Sequence, residues 1–373
     1  MSRIPLLKKL NIKYPIFQSP MAGVSTPEMA AAVSAGGGLG ALPLAPLDFT
    51  RDDSVAFDKL DKLVAATGTN NVNLNFFCHE IEQAPSPVQV ENWKRLYGEG
   101  IIDVKFKNVI DLMKFANGNI SFKEVEKDQA KLKKLIEKLK MIKPAIISFH
   151  FGIPSNSTID ELKKFSLVFG TATSLKEARH LSRNGIDGVI LQGIEAGGHR
   201  GQFIDTYQPH IDEDLSTQAL FHKVKQGLNK DVIYLVPAGG ITTGDSVKYF
   251  LDNGADAVQI GTAFLATPES TSSKFFNKTS GGESTVMTAL ISGKPARCVR
   301  TPFIDNIIGK NSFALSELPP YGYAYDAYKK LKGELSTSGG QDIGFYLAGQ
   351  NQFQISKDKS VLEVMQELTH GLS

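Results

Sequence analysis

Two histidines stand directly after predicted strands, where an imidazole could exchange a proton with a ligand. His199 lies in "GIEAGGHRGQF" (193–203), with glycines before and after it, and His150 lies in "SFHFG" (148–152). A neutral imidazole, with an ordinary pKa of about 6.5, can accept a proton near neutral pH. The glycines beside His199 allow close approach of backbone and ring to a ligand, so the sequence favours His199 as a base. For His150, catalysis and a structural role are equally supported.

Two glycine-containing loops have the composition of an anion site. They read "PAGGIT" (237–242) and "QIGTAFL" (259–265), and each follows a predicted strand. Glycines let backbone N–H groups approach a phosphate, and a following helix N-terminus adds a favourable dipole. The glycines could instead only permit tight turns, but two such loops favour a ligand. The residues concerned are Gly239, Gly240, Gly261 and Thr262.

Amide side chains mark the ends of other predicted strands. Asn75 and Gln192 are the clearest cases, and "SPMAGVS" (19–25) adds a loop of small residues after the first strand. Amides both donate and accept hydrogen bonds, so together they suit the polar edge of a flat heterocycle such as a flavin. Each amide alone is more often a structural hydrogen-bonding group.

Eight short apolar runs alternate with helical patterns and must position these groups. The runs are mostly continuous rather than alternating, as expected for parallel strands covered on both faces. Eight such units, if they close, form an α/β fold of the (β/α)8 TIM-barrel type, with functional groups at the carboxyl ends of the strands. An open doubly wound sheet is the alternative. The predicted strands are residues 15–19, 39–42, 72–76, 145–149, 166–170, 188–192, 233–237 and 257–261.

Two segments fall outside the repeat and predict a smaller helical second domain. We expect a barrel over residues 1–270 with an insertion at about 77–122, and a mainly helical extension over 271–373 that covers the substrate. Together the insertion and the extension would form the second domain.

Composition excludes several classes of function. The 373 residues carry 41 basic and 39 acidic side chains, a net charge of +2, which gives no field to attract nucleic acid or an anionic membrane. Two cysteines are too few for a disulfide framework, no His, Cys and carboxylate spacing indicates a metal site, and no serine has a nucleophile-elbow context. No apolar run is long enough for a membrane span. We expect a cytoplasmic enzyme with small-molecule partners; the oligomeric state stays open.

Three segments together resemble class I nitronate monooxygenases, especially the yeast and fungal ones. They are "SPMAGVSTPEMAAAVSAGGGLG", "GIEAGGHRGQF" and "PAGGITTGDSVKYFLDNGADAVQIGTAFL". The resemblance implies a (β/α)8 barrel with a helical second domain and non-covalent FMN. It implies His199 as the base for neutral nitroalkanes and places His150 near the flavin. The FMN contacts that it implies are Met21, Ala22, Asn75, Gln192, Gly197, Gly239, Gly240, Gln259, Ile260, Gly261 and Thr262.

A tyrosine and lysine pattern extends the resemblance to the substrate pocket. Tyr321, Tyr325 and Lys329 are spaced by four residues in "YGYAYDAYKK", which on a helix places them on one face. In class I enzymes such side chains border the pocket, where hydroxyls and an ammonium favour an anionic nitronate. The tyrosines could equally pack the joint between domains.

The resemblance implies oxidation of alkyl nitronates by O2. The expected substrate is propionate 3-nitronate, with neutral nitroalkanes as further substrates, and the products are carbonyl compounds with nitrite or nitrate. An NAD(P)H-dependent FMN reductase of quinones or enoyl thioesters is the alternative, because related branches share the "GIEAGGHRGQF" motif. A flavin-binding protein without turnover is a third reading, in which His199 would be dispensable.

Overall fold

A barrel of parallel strands forms the centre of the fold. The computed structural model describes residues 5–51, 54–101, 107–204, 212–228, 233–279, 282–337 and 342–372. The eight strands pair in the order β1-β9-β8-β6-β5-β4-β3-β2, and a parallel bridge between Phe17 and Leu39 connects the two ends. The predicted (β/α)8 TIM barrel is therefore confirmed. Its strands are β1 (Ile16–Gln18), β2 (Gly40–Pro43), β3 (Val72–Phe77), β4 (Ile146–His150), β5 (Leu167–Ala172), β6 (Gly188–Gln192), β8 (Tyr234–Ala238) and β9 (Val258–Ile260).

Helices surround the barrel and also fill the insertion and the extension. Among the described residues, no helix combines the length and apolar character needed to cross a bilayer. The helices are α1 (Leu6–Leu10), α2 (Pro27–Ala35), α3 (Val55–Ala66), α4 (Pro87–Gly100), α5 (Lys107–Asp111), α6 (Phe122–Glu126), α7 (Gln129–Ile142), α8 (Asn156–Lys163), α9 (Leu175–Arg183), α10 (Thr217–Gly227), α11 (Gly244–Asp252), α12 (Ser273–Lys278), α13 (Pro302–Lys310), α14 (Tyr323–Thr337) and α15 (Val361–Thr369).

A small antiparallel sheet, which the sequence analysis did not predict, holds the segment that contains His199. Strand β7 (Gly198–His199) pairs with β11 (Ala296–Val299), which pairs with β10 (Thr285–Thr288). The predicted helical extension thus contributes two strands as well. Because Ala296 lies opposite His199 in this ladder, the extension fixes the position of His199 directly.

The insertion and the extension share an apolar cluster. Trp93 and Tyr97 of α4 pack in this cluster with Phe303 of α13 and Tyr328 of α14. The last helix, α15, instead packs against α2 and α11 and contributes to the main barrel core. The division into two domains near residue 270 stays a prediction.

Candidate active site

A cavity opens at the carboxyl ends of the barrel strands and gathers most of the predicted site residues. Its empty volume is about 1240 Å³, including its mouth to solvent. This is the end of a (β/α)8 barrel at which ligands bind. The predicted residues in its wall are Met21, Ala22, Asn75, His150, Gln192, Gly197, His199, Gly239, Gly240, Gln259, Gly261, Thr262 and Tyr325.

Three predicted site residues lie outside this wall. The side chain of Ile260 is buried in the barrel core, because side chains along a strand alternate and its neighbours Gln259 and Gly261 face the cavity. Tyr321 is buried next to His199, with ring centres 5.6 Å apart. The ammonium of Lys329 lies 4.9 Å from the ring centre of Tyr325.

The tyrosines do not share one helix face as predicted. Helix α14 begins at Tyr323, so Tyr321 lies in the turn before it. The rings of Tyr321 and Tyr325 nevertheless stack, with centres 6.4 Å apart and planes 21° apart. Both rings also lie within 5.6 Å of the His199 ring, centre to centre.

Both ring nitrogens of His150 are occupied by hydrogen bonds within the protein. Nε2 lies 3.2 Å from the carbonyl oxygen of His199, and Nδ1 lies 3.2 Å from Oγ1 of Thr171. A carbonyl only accepts, so Nε2 carries the proton and Nδ1 accepts from the threonine hydroxyl. Burial, together with the charge of Lys294, lowers the pKa of His150 to about 4. His150 is therefore neutral and has no free lone pair for a substrate proton.

Gln192 and Arg200 hold the backbone around His199. The amide of Gln192 donates to the His199 carbonyl at 3.0 Å and accepts from the N–H of Gly201 at 2.7 Å. Arg200 is buried, donates to the Gln192 carbonyl at 2.8 Å and pairs with Asp212 at 2.7 Å. The sequence predicts the Gln192 amide as a flavin contact, but both its nitrogen and its oxygen form hydrogen bonds that position this segment.

The imidazole of His199 is neutral, and its free nitrogen can be assigned. The Ser292 hydroxyl donates to the carbonyl of Lys294 at 2.9 Å, so it must accept from Nε2–H of His199, also 2.9 Å away. Nδ1 keeps its lone pair and has no hydrogen-bond partner among the described residues. Burial, and then neighbouring His150 and the charges of Lys294 and Lys329, lower the pKa of His199 to about 3. The ring is therefore neutral across the physiological pH range, with the lone pair of Nδ1 unoccupied.

The loops after β8 and β9 form a cradle of unpaired backbone donors. The N–H groups of Gly239, Gly240, Gly261 and Thr262 donate to no acceptor in the part of the chain that the structure describes. Gly239 has φ +116°, and a Cβ there would lie 2.9 Å from the Ala196 nitrogen, so only glycine fits. Unpaired backbone N–H groups in a cavity wall are the kind of donors that bind a phosphate.

A segment of the extension crosses this cradle. The N–H of Gly349 donates to Oγ1 of Thr262 at 3.0 Å, and the Asn351 amide donates to the Gly240 carbonyl at 2.6 Å. Leu347 of the same segment lines the cavity. Sequence reasoning missed this segment and Ser292, because neither stands in a recognisable motif and each reaches the site only through the fold.

Comparison with known proteins agrees with this arrangement. The sequence matches the nitronate monooxygenase family over residues 3–371. It is 44% identical to a putative nitronate monooxygenase of Saccharomyces cerevisiae over 378 residues, covering 95% of this chain and 90% of that protein. It is 33% identical to a nitronate monooxygenase of Pseudomonas aeruginosa, covering 97% of both chains.

A solved structure shows the same likeness in three dimensions. The crystal structure of a nitroalkane oxidase from Streptomyces ansochromogenes superposes with a TM-score of 0.80 at 27% identity, covering 98% of this chain and 97% of that one. The match spans both the barrel and the extension that holds His199 in place. The chain therefore belongs to the nitronate monooxygenase family of oxidoreductases, as the resemblance predicted.

Proposed function

We propose that the protein uses FMN and O2 to oxidise alkyl nitronates to carbonyl compounds with nitrite or nitrate. Propionate 3-nitronate is the proposed main substrate, and neutral nitroalkanes are further substrates. The observation that carries the proposal is that a neutral imidazole, His199, lines the same cavity as the unpaired backbone N–H groups of the two glycine loops.

The residues present fit FMN. The unpaired N–H groups of the cradle suit its phosphate, and Asn75 keeps one amide oxygen for the ring, because its amide nitrogen is bound to Ser148. The remaining predicted contacts surround the same space: Met21, Ala22, Gln192, Gly197 and Gln259. When bound, FMN supplies the redox chemistry, taking electrons from the substrate and passing them to O2.

The protein's own task differs between the two substrate types. A nitronate already carries the negative charge that removal of a proton creates, so the protein needs only to bind and orient it. A neutral nitroalkane must first lose the proton on the carbon next to its nitro group. Nδ1 of His199 would accept that proton, since His150 has no free nitrogen. Tyr325 borders the space for the substrate.

Anaerobic titration of the purified yellow protein tests this proposal. Propionate 3-nitronate should bleach the flavin absorbance without O2, and the flavin released on denaturation should be the mononucleotide. NADH, tested in a parallel cuvette, should leave the spectrum unchanged. Bleaching by NADH but not by the nitronate would instead make the protein an NAD(P)H-dependent reductase.

A further inference from the structure

Buried polar side chains without partners lie next to His199. The ring centre of Tyr321 is 5.6 Å from that of His199, and the ring centre of His79 is 5.1 Å from that of Tyr321. Tyr321 is 3% exposed and His79 is 2% exposed, yet the tyrosine hydroxyl and both imidazole nitrogens lack a hydrogen-bond partner among the described residues. Buried polar groups are nearly always paired, so these atoms indicate a missing ligand.

A partly buried lysine that forms no ion pair with a described carboxylate completes this group. The ammonium of Lys294 lies 5.6 Å from the ring centre of Tyr321 and 5.4 Å from that of Phe151. Lys294 is half-buried, and burial lowers its pKa although the charge of Glu82 acts in the opposite direction. Its own charge contributes to lowering the pKa of His79 and of His199, and His199 lines the cavity.

Phe151, whose ring lies beside this group, has an unusual backbone conformation. Phe151 has φ +69°, which is unfavourable for a bulky side chain and persists only where the surroundings enforce it. Its ring centre lies 5.5 Å from that of Tyr321 and 6.1 Å from that of His79. Such conformations cluster at binding and catalytic sites.

We propose that Lys294, Tyr321 and His79 bind a carboxylate at the far end of the nitronate substrate. The three side chains offer an ammonium, a phenol and a neutral imidazole, all of which can donate to carboxylate oxygens. Water could satisfy the hydroxyl and the imidazole, but it would leave the partly desolvated ammonium with only the charge of Glu82, which forms no ion pair with it. The enzyme would then select nitronates that carry a second negative charge. The inference rests on the proposed function for the identity of the substrate.

Two nitronates that differ only in a carboxylate distinguish an effect on this subsite from an effect on binding of the nitronate group. Propionate 3-nitronate and the nitronate of 1-nitropropane have the same chain length, but only the first has a carboxylate. Lys294→Gln should lower kcat/KM for propionate 3-nitronate at least about tenfold, the loss of one charge-assisted hydrogen bond. The 1-nitropropane nitronate should lose much less, and Lys294→Arg should restore part of the difference. Lys332→Gln is the matched control, because its ammonium also lies near a ring, 5.8 Å from the centre of Tyr346, away from His199.

A binding measurement tests the subsite without turnover. Succinate and butyrate each place one carboxylate where the nitronate group would lie, and only succinate has a second. Calorimetric titration of the FMN-loaded protein should show tighter binding of succinate, and Lys294→Gln should remove this preference. Tyr321→Phe deletes only an unpartnered hydroxyl and should reduce the preference for succinate. This variant replaces Lys294→Gln in the test if the lysine variant does not fold.

The possible outcomes distinguish the subsite from the proposed function. Equal losses for both nitronates in Lys294→Gln, or no loss for either, would overturn the carboxylate subsite. If the wild type prefers succinate through Lys294 but oxidises neither nitronate, the subsite stands and the proposed function fails. If both nitronates are oxidised and succinate has no advantage over butyrate, the function stands and the subsite fails.

Discussion

Nε2 of His150 donates a hydrogen bond to the backbone carbonyl of His199, 3.2 Å away. The sequence offers both histidines as candidates for the base. In the structure, the ring of His150 is hydrogen-bonded to the backbone of His199. The Gln192 amide donates to the same carbonyl at 3.0 Å, so two donors fix the backbone that presents the His199 ring to the cavity. We therefore propose that His150 positions His199 and that His199 is the histidine that meets the substrate.

Replacement of His199 should separate the two substrate types. His199→Asn should reduce kcat/KM for neutral nitroethane by about 100-fold or more, because general base catalysis contributes that much. Ethylnitronate needs no proton removal and should change by no more than a few-fold. Steady-state oxygen uptake with both substrates measures the difference; equal losses for both would contradict the assignment. His150→Asn is the matching control and should affect both substrates alike.

Ser292 should determine which nitrogen of the His199 ring carries the proton. Ser292→Ala removes the acceptor of Nε2–H, so the ring can move its proton to Nδ1 and lose the lone pair there. Nitroalkane turnover should fall roughly tenfold or more, with nitronate turnover largely spared. Ser292→Thr keeps the hydroxyl and should retain most of the activity. A variant that loses both activities in proportion would show a structural role instead.

The phosphate cradle can be tested with two glycines that share a backbone conformation. Gly240 and Gly68 both have φ +68°, but Gly68 lies outside the cavity wall, and a Cβ there would meet nothing within 4 Å. Alanine at either position should cost about 1 kcal/mol of stability through the backbone conformation, and at Gly240 the new Cβ would also lie 3.3 Å from the Cβ of Glu195. Only Gly240→Ala should also weaken FMN binding. The affinity is measured from the rise in fluorescence as the protein is diluted and FMN is released. Equal FMN affinity in the two variants would exclude this loop from the phosphate site.

Much of this arrangement could be predicted from local sequence. Continuous apolar runs placed all eight barrel strands within two residues of their observed ends, because a strand covered on both faces needs such a run. The glycine loops and both histidines were found from their position after these strands. Alternation of side chains along β9, however, directs the side chain of Ile260 into the core rather than the cavity.

The features of the site that could not be predicted depend on contacts between parts of the chain that are distant in sequence. Ser292 reaches His199 across 93 residues, and β7 has only two residues, one of them glycine, so neither leaves a local pattern. His79 lies in "CHE" (78–80), which lacks the spacing of a metal site and predicts no other role. Its position beside Tyr321 is created by packing of the extension against the barrel end.

Burial of His79 predicts an acid-sensitive contribution to stability. Burial, and then the charges of Lys294 and Lys123, lower the pKa of His79 to about 3, whereas an unfolded histidine has a pKa of about 6.5. Between these values the unfolded chain binds a proton that the folded chain does not, so stability falls as the pH falls below about 6.5. From pH 7 to pH 5 the free energy of unfolding should drop by about 2 kcal/mol through this residue.

A phenylalanine variant isolates this contribution. His79→Phe keeps an aromatic ring but cannot titrate, so its urea-unfolding free energy should decline less between pH 7 and pH 5 than that of the wild type. Parallel decline in the two proteins would show that His79 is solvated or protonated in the folded state.

Oxygen consumption by the purified, FMN-loaded protein tests the central claim most directly. Propionate 3-nitronate alone should cause rapid uptake with release of nitrite or nitrate, and NADH alone should cause none. Uptake with NADH and none with the nitronate would contradict nitronate oxidation by this protein.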